Sequence, residues 1–261
     1  MRCILILFFM QISFGVEAQK EFFTSFDGIE ITYTDEGKGK AVVLVHGFIN
    51  DGSSWNATVL KKELLQKGYR VIVPDLRGNG SSGKPQEEKF YTDDAEVRDL
   101  QGLASYLKLK KFIVVGYSRG SIITAKWLTL DRRIKKSVLG GMGLDFTNPE
   151  WNRRILFANA FAEGAELTEE TKGAVAYAIS VQADLKALHY LQKHQPVTSV
   201  FELGQIKSKV LIVAGDEDLE NGNPEALHSA IPKSEFVLLK GNHNDVYKTD
   251  SFSKAIISFL K

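Results

Sequence analysis

Four runs rich in β-branched residues recur along the chain: "AVVLVHGF" at 41–48, "RVIVPDL" at 70–76, "KFIVVGYS" at 111–118 and "KVLIVAGD" at 209–216. Their strand-forming cores are continuously apolar, and a strand tolerates that pattern where both faces of its sheet are covered. Two weaker runs, "KKSVLGGM" at 135–142 and "SEFVLLKG" at 234–241, extend the set. Between the runs lie stretches with helical spacing. In "TDDAEVRDLQGLASYLKL", Val97, Leu100, Ala104 and Leu107 share one face, and Asp93 with Glu96 predicts an N-terminal cap.

Strand and helix in alternation imply parallel pairing with right-handed crossovers. The expected fold class is therefore α/β, a mostly parallel, doubly wound sheet with helices on both sides. The opening stretch, "EFFTSFDGIEITYTDEGKGK", breaks this rhythm: its Asp27-Gly28 between two short aromatic or β-branched runs predicts a hairpin, so antiparallel strands begin the sheet. Residues 145–204 break it again. They carry helical patterns, such as Val181, Leu185 and Leu188, and seven aromatics that include Trp151, Phe157 and Phe161. About sixty residues between two strands is too long for a plain loop and predicts a helical cap. The expected organisation is a core of residues 19–144 and 205–261 interrupted by a cap at 145–204.

The first eighteen residues differ from the rest. Arg2 precedes the apolar run "CILILFFM", and small residues close the segment before Gln19, the pattern of a secretory signal peptide cleaved after Ala18. Gln11, Ser13 and Glu17 cut the run short of a membrane span. Removal of the signal takes away Cys3, the only cysteine, so the expected product is an exported protein, periplasmic or secreted, with no thiol, no disulfide and no membrane partner. With 33 basic against 32 acidic residues and no basic cluster interleaved with aromatics, nucleic acid is excluded as a partner. A small-molecule substrate is expected, and oligomeric state is not readable.

Ligands of an open parallel sheet bind beyond the carboxyl ends of its strands. Those ends carry His46, Gly47 and Phe48, then Asp75, Ser118, Asp218 and His243. Ser118 lies in "VVGYSRGS", between a strand and the helical stretch "IITAKWL", with a glycine two residues to either side. Such a junction predicts a turn too tight for side chains at both glycines, which lifts the hydroxyl outward rather than leaving it as a plain helix cap. A serine becomes a nucleophile when an imidazole, ordinarily of pKa about 6.5, takes its proton. A carboxylate then fixes the imidazole's tautomer. His243 sits in a polar loop, Gly241-Asn242-His243-Asn244-Asp245, rather than on an apolar face. No metal-ligand spacing links His189, His194 or His228.

The chain order serine, acid, histidine resembles the α/β-hydrolase family, and "GYSRG" matches that family's G-x-S-x-G nucleophile elbow. The resemblance runs from "VVLVHGF" through "PDLRGNGSS", "VVGYSRG" and "VLIVAGDED" to "GNH". It implies Ser118 as nucleophile, His243 as base and Asp218 as acid, with Asp216 and Asp145 as alternatives for the acid. It also implies an oxyanion hole from the backbone N–H groups of Phe48 and Arg119, a structural role for His46 and Asp75, and no cofactor or metal. "LENGNP" after Asp218 departs from the usual proline-containing turn. The Arg119 side chain, unusual at its position, is expected to pair with a cap or rim carboxylate or to meet an acidic substrate group. Relatives with aspartate at the elbow, such as epoxide hydrolases, form alkyl-enzyme esters, whereas serine favours acyl carbons. The expected activity is carboxylic ester or related acyl hydrolysis. The alternatives are C–C bond or amide cleavage by the same residues, and a binding homologue without turnover.

Overall fold

The computed structural model describes residues 19–218 and 220–261; the expected signal peptide and Cys3 lie outside them. The apolar runs and the opening hairpin become eight strands: β1 Lys20–Thr24, β2 Glu30–Glu36, β3 Ala41–Val45, β4 Arg70–Pro74, β5 Phe112–Tyr117, β6 Ile134–Gly140, β7 Lys209–Gly215 and β8 Ser234–Leu239. They form one sheet in the order β1-β2-β4-β3-β5-β6-β7-β8. β1 and β2 pair antiparallel across the Asp27-Gly28 turn, and β2 pairs antiparallel with β4. β3 to β8 are parallel to one another.

The helices are α1 Val59–Gln66, α2 Ala95–Tyr106, α3 Arg119–Leu130, α4 Asn152–Ala160, α5 Glu169–Ser180, α6 Leu185–Lys193, α7 Val200–Gly204, α8 Pro224–Ala230 and α9 Asp250–Leu260. Alternate residues of each strand serve opposite faces. Val43, Val45 and Val114 pack with Leu100 and Leu103 of α2, Ile123 and Trp127 of α3 and Leu227 of α8. Val42, Leu44 and Val115 pack with Leu60 and Leu64 of α1 and Phe252 and Ile256 of α9. Two covered faces explain the unbroken apolar runs. None of the helices among the described residues is long and apolar enough to cross a membrane.

α4 to α7 follow one another between β6 and β7. Phe157, Phe161, Val175, Ala178, Leu188 and Leu191 make a small core of their own, closed from the sheet side by Tyr91 and by the half-buried Phe48 and Ile49. Two local expectations need correction. Val181, Leu185 and Leu188 do not share a helix: Val181 caps the end of α5, Gln182 has φ 56°, and α6 starts at Leu185 with the Asp184 carboxylate accepting from the Ala187 N–H at 2.9 Å. Asp93 and Glu96 do not cap α2. Asp94 is the cap residue, in left-handed conformation and without a side-chain capping hydrogen bond, while Glu96 turns inward to Arg119. A buried guanidinium is the stronger partner for a carboxylate than a helix end open to water.

Candidate active site

Parallel register brings the strand ends to one edge: Val45 lies beside Gly116, Gly140 beside Val213, and Gly215 beside Leu239. Ser118 follows β5 directly and has φ 55° and ψ −126°, a conformation few side chains adopt. The Ser118 N–H donates to the Gly140 carbonyl at 2.8 Å, and α3 starts at the next residue. The two glycines of "GYSRG" are required by close approach rather than by dihedral angle. A Cβ on Gly116 would strike the Gly120 carbonyl, and one on Gly120 would strike the Val45 carbonyl.

Ser118 Oγ lies 2.9 Å from His243 Nε2, and His243 Nδ1 lies 2.6 Å from Asp218 Oδ2. Ser118, His243 and Asp218 are thus brought into one hydrogen-bonded chain, although they come from three loops far apart in sequence. Asp218 is 8% exposed. Burial pushes its carboxyl pKa up, but the hydrogen bond and charge of His243 and a bond from Asn221 outweigh that and hold it below the usual carboxylate value. A hydroxyl beside one imidazole nitrogen, with a carboxylate on the other, can give up its proton as it attacks.

The other two acids are elsewhere. Asp216 bonds to Lys240 and accepts from the Gly241 N–H at 3.1 Å, tying the end of β7 to that of β8. Asp145 is exposed in a short turn, its carboxyl against Gly222. His46 is buried, with the Leu76 N–H donating to its Nε2 at 3.0 Å; its Nδ1 therefore carries the proton, which it gives to the Gly47 carbonyl at 2.9 Å. Burial lowers its pKa and keeps the ring neutral. Asp75 accepts from the Gly52 and Ser81 N–H groups, each at 2.8 Å, and holds the adjoining loops together.

Phe48 and Arg119 flank Ser118, and among the described residues neither backbone N–H has a hydrogen-bond partner. The Phe48 ring meets Phe161 edge-on at 5.2 Å, fixing its loop to the cap. The next residue, Ile49, has φ 64°, a genuine outlier for a β-branched side chain. The Arg119 side chain finds its carboxylate on α2 rather than on the cap or rim: its Nη1 and Nη2 donate to Glu96 at 2.6 and 2.5 Å, and Nη2 also reaches the Leu191 carbonyl of α6 at 2.6 Å. One side chain therefore ties α2, α3 and the cap together.

Two contributors escape a sequence reading. Asn221 Nδ2 donates to Asp218 Oδ1 at 2.8 Å, so the unusual "LENGNP" turn supplies a second clamp on the acid. Its only sequence signal is a polar amide three residues beyond the aspartate. Tyr117 donates its hydroxyl to the His243 carbonyl at 2.6 Å and stacks on Tyr247 with centroids 4.6 Å apart, holding the histidine loop.

The chain opens onto two cavities. The outer one, about 630 Å³, is bordered by Tyr177, Glu170, Glu217, Tyr247 and Lys248. The inner one, about 80 Å³, lies between Ser118, α3 and the cap. Arg153 borders both and pairs with Glu170 at 2.9 Å and Glu220 at 3.0 Å.

A family model for the alpha/beta hydrolase fold matches residues 40–181, more than half of the chain. A putative non-heme chloroperoxidase of Synechocystis is 40% identical over 113 residues, 42% of this chain and 40% of that protein. An epoxide hydrolase of Caballeronia sordidicola is 34% identical over 102 residues, 39% of this chain and 30% of that protein. The matches thus span less than half of these curated relatives. Among solved structures, a thermophilic esterase from Thermogutta terrifontis superposes with TM-score 0.73 at 26% identity, over 93% of this chain and 98% of that one.

Proposed function

This chain belongs to the α/β-hydrolase fold family, and from that premise we propose that it hydrolyses a carboxylic ester or related acyl bond of a small, mostly apolar substrate through an acyl-enzyme at Ser118. The observation that carries the reading is the chain Ser118–His243–Asp218, with contacts of 2.9 and 2.6 Å, on a backbone turn held at φ 55°. Serine in place of an elbow aspartate separates this site from the alkyl-enzyme chemistry expected of epoxide-opening relatives.

Ser118 Oγ attacks the acyl carbon while its proton passes to His243 Nε2. The oxyanion that forms accepts from the N–H groups of Phe48 and Arg119, and losing one such donor costs about 3–4 kcal/mol in comparable sites. The bond to the alcohol oxygen then breaks, and His243 returns its proton to that oxygen. Water enters by the same route, gives a proton to His243 and attacks the acyl-enzyme; the acid leaves and Ser118 regains its proton. Asp218, ionised throughout, steadies the imidazolium.

Turnover of short-chain p-nitrophenyl esters, with Ser118 labelled by a serine-directed phosphonate, is the expected result. A single burst of p-nitrophenol without turnover would instead favour a binding homologue, and ester turnover retained in Ser118→Ala would overturn the assignment.

A further inference from the structure

The inner cavity contains polar groups that the proposed acyl transfer does not use. Arg119, Gln192 and Gln195 border it and are 4%, 7% and 3% exposed. Among the described residues Arg119 Nε, Gln192 Oε1 and Gln195 Nε2 have no hydrogen-bond partner. Buried polar atoms are almost always paired, so three orphans around one small space call for a ligand that pairs them. Ser118, His243 and Asn221 close its catalytic end, Arg153 stands at its border with the outer cavity, and Phe48, Ile122, Met142, Trp151 and Phe157 make the rest of the wall apolar.

Resting on the acyl-hydrolase reading above, we propose that this chamber selects esters of short hydroxyacids, seating the acyl chain with its hydroxyl among Arg119, Gln192 and Gln195. Three steps lead there. First, the leaving oxygen must receive its proton from His243, so the alcohol leaves toward the histidine loop. His243 itself borders both cavities, but Asn244, Tyr247 and Lys248 beyond it border only the outer one, so the space past the imidazole opens outward. The acyl chain therefore occupies the inner chamber.

Second, about 80 Å³ has room for only a few water-sized groups, which restricts the acyl chain to about four heavy atoms beyond the carbonyl. Third, the donors and acceptors select the functional group. Arg119 Nε–H is a fixed donor, and each glutamine amide carries both a donor and an acceptor, whichever way it is turned. A hydroxyl donates once and accepts twice, so it can serve an amide oxygen and two N–H groups together. A ketone only accepts and would leave the amide oxygen unpaired. A carboxylate brings a charge with no free counterion, since the Arg119 guanidinium already faces Glu96 at 2.6 and 2.5 Å and Arg153 is already paired with Glu170 and Glu220.

The test compares methyl 3-hydroxybutanoate, as separate enantiomers, with methyl butanoate and methyl 3-oxobutanoate. Hydrolysis by the wild-type protein is followed by proton release, and binding of the intact esters to Ser118→Ala by ligand-observed NMR. The expected result is kcat/KM at least ten-fold higher for one hydroxy enantiomer than for butanoate, with the same preference in binding. Gln192→Leu and Gln195→Leu should each shrink that ratio. Turnover without hydroxyl preference overturns the chamber and leaves the hydrolase reading standing. Hydroxyl-selective binding without turnover upholds the chamber and removes the hydrolase reading. Neither binding preference nor turnover removes both.

Discussion

On the sheet side of Ser118 the polar side chains close on one another: His243 bonds both Ser118 and Asp218, Asn221 takes the remaining Asp218 oxygen, and Tyr117 holds the His243 carbonyl. On the cap side Arg119 Nε, Gln192 Oε1 and Gln195 Nε2 close on nothing among the described residues, although their residues are just as deeply buried. The first arrangement is finished before any ligand arrives, so its geometry costs nothing to reorganise during a reaction. The second carries an unpaired cost of about 1–3 kcal/mol per group, which a matching ligand offsets and a mismatched one leaves in place. On the proposed reading the satisfied side carries the chemistry and the unsatisfied side the discrimination.

The largest effect that could break this division is on the satisfied side. Ser118→Ala should lower ester kcat by about 10⁴- to 10⁶-fold, because it removes the group on which the other two act. A loss below ten-fold would mean that the closed network serves packing alone. Asp218→Asn should follow at about 10⁴-fold, since an amide can hold the imidazole in the wrong tautomer. Asp216→Asn, whose partners are Lys240 and the Gly241 N–H, should change kcat little by comparison. Steady-state ester kinetics on the three variants orders them.

How far the sequence reaches follows the same line. β3, β4, β5 and β7 were legible because each is apolar on both faces, β1 and β2 because Asp27-Gly28 turns between them, and the elbow because Gly116 and Gly120 touch backbone that no side chain could share. Strand ends of a parallel sheet meet at one edge, which made Ser118, His243 and the aspartates near them candidates, while only the resemblance to the family put Asp218 ahead of Asp216 and Asp145. Glu96 was misread as a helix cap because its partner, Arg119, lies 23 residues away on another helix. Gln192 and Gln195 gave no signal at all. Their meaning lies in partners they lack, and an unpaired amide looks like any surface glutamine until the cap has folded over it.

Glu96 stands at the border between the two sides, as the one carboxylate that satisfies most of the Arg119 guanidinium. Its removal leaves a buried charge uncompensated, so Glu96→Gln should cost about 3–5 kcal/mol of unfolding free energy by urea titration. The cap side should respond in kind. With Arg119 unneutralised, the variant should gain activity toward half-esters of short dicarboxylic acids relative to hydroxyacyl esters. A stability loss without that shift would place Arg119 among the structural ties and outside the chamber.

The smallest effect tests whether Asn221 belongs to the closed network. Asn221→Ala removes one bond to Asp218 and should lower kcat by about five-fold, the equivalent of about 1 kcal/mol. The pH dependence of stability distinguishes an electrostatic role from packing. In the wild-type protein the folded Asp218 pKa lies below its ordinary value, so its stabilising contribution is complete above the unfolded value of about 3.9 and is lost as the pH falls through the folded one. Without Asn221 the folded value moves upward, toward the unfolded one, and that contribution shrinks. Wild type and variant should therefore differ most near pH 7 and converge below about pH 4. A gap of equal size at pH 7 and pH 3, measured by urea unfolding, would show that Asn221 fills space beside Asp218 without tuning its charge.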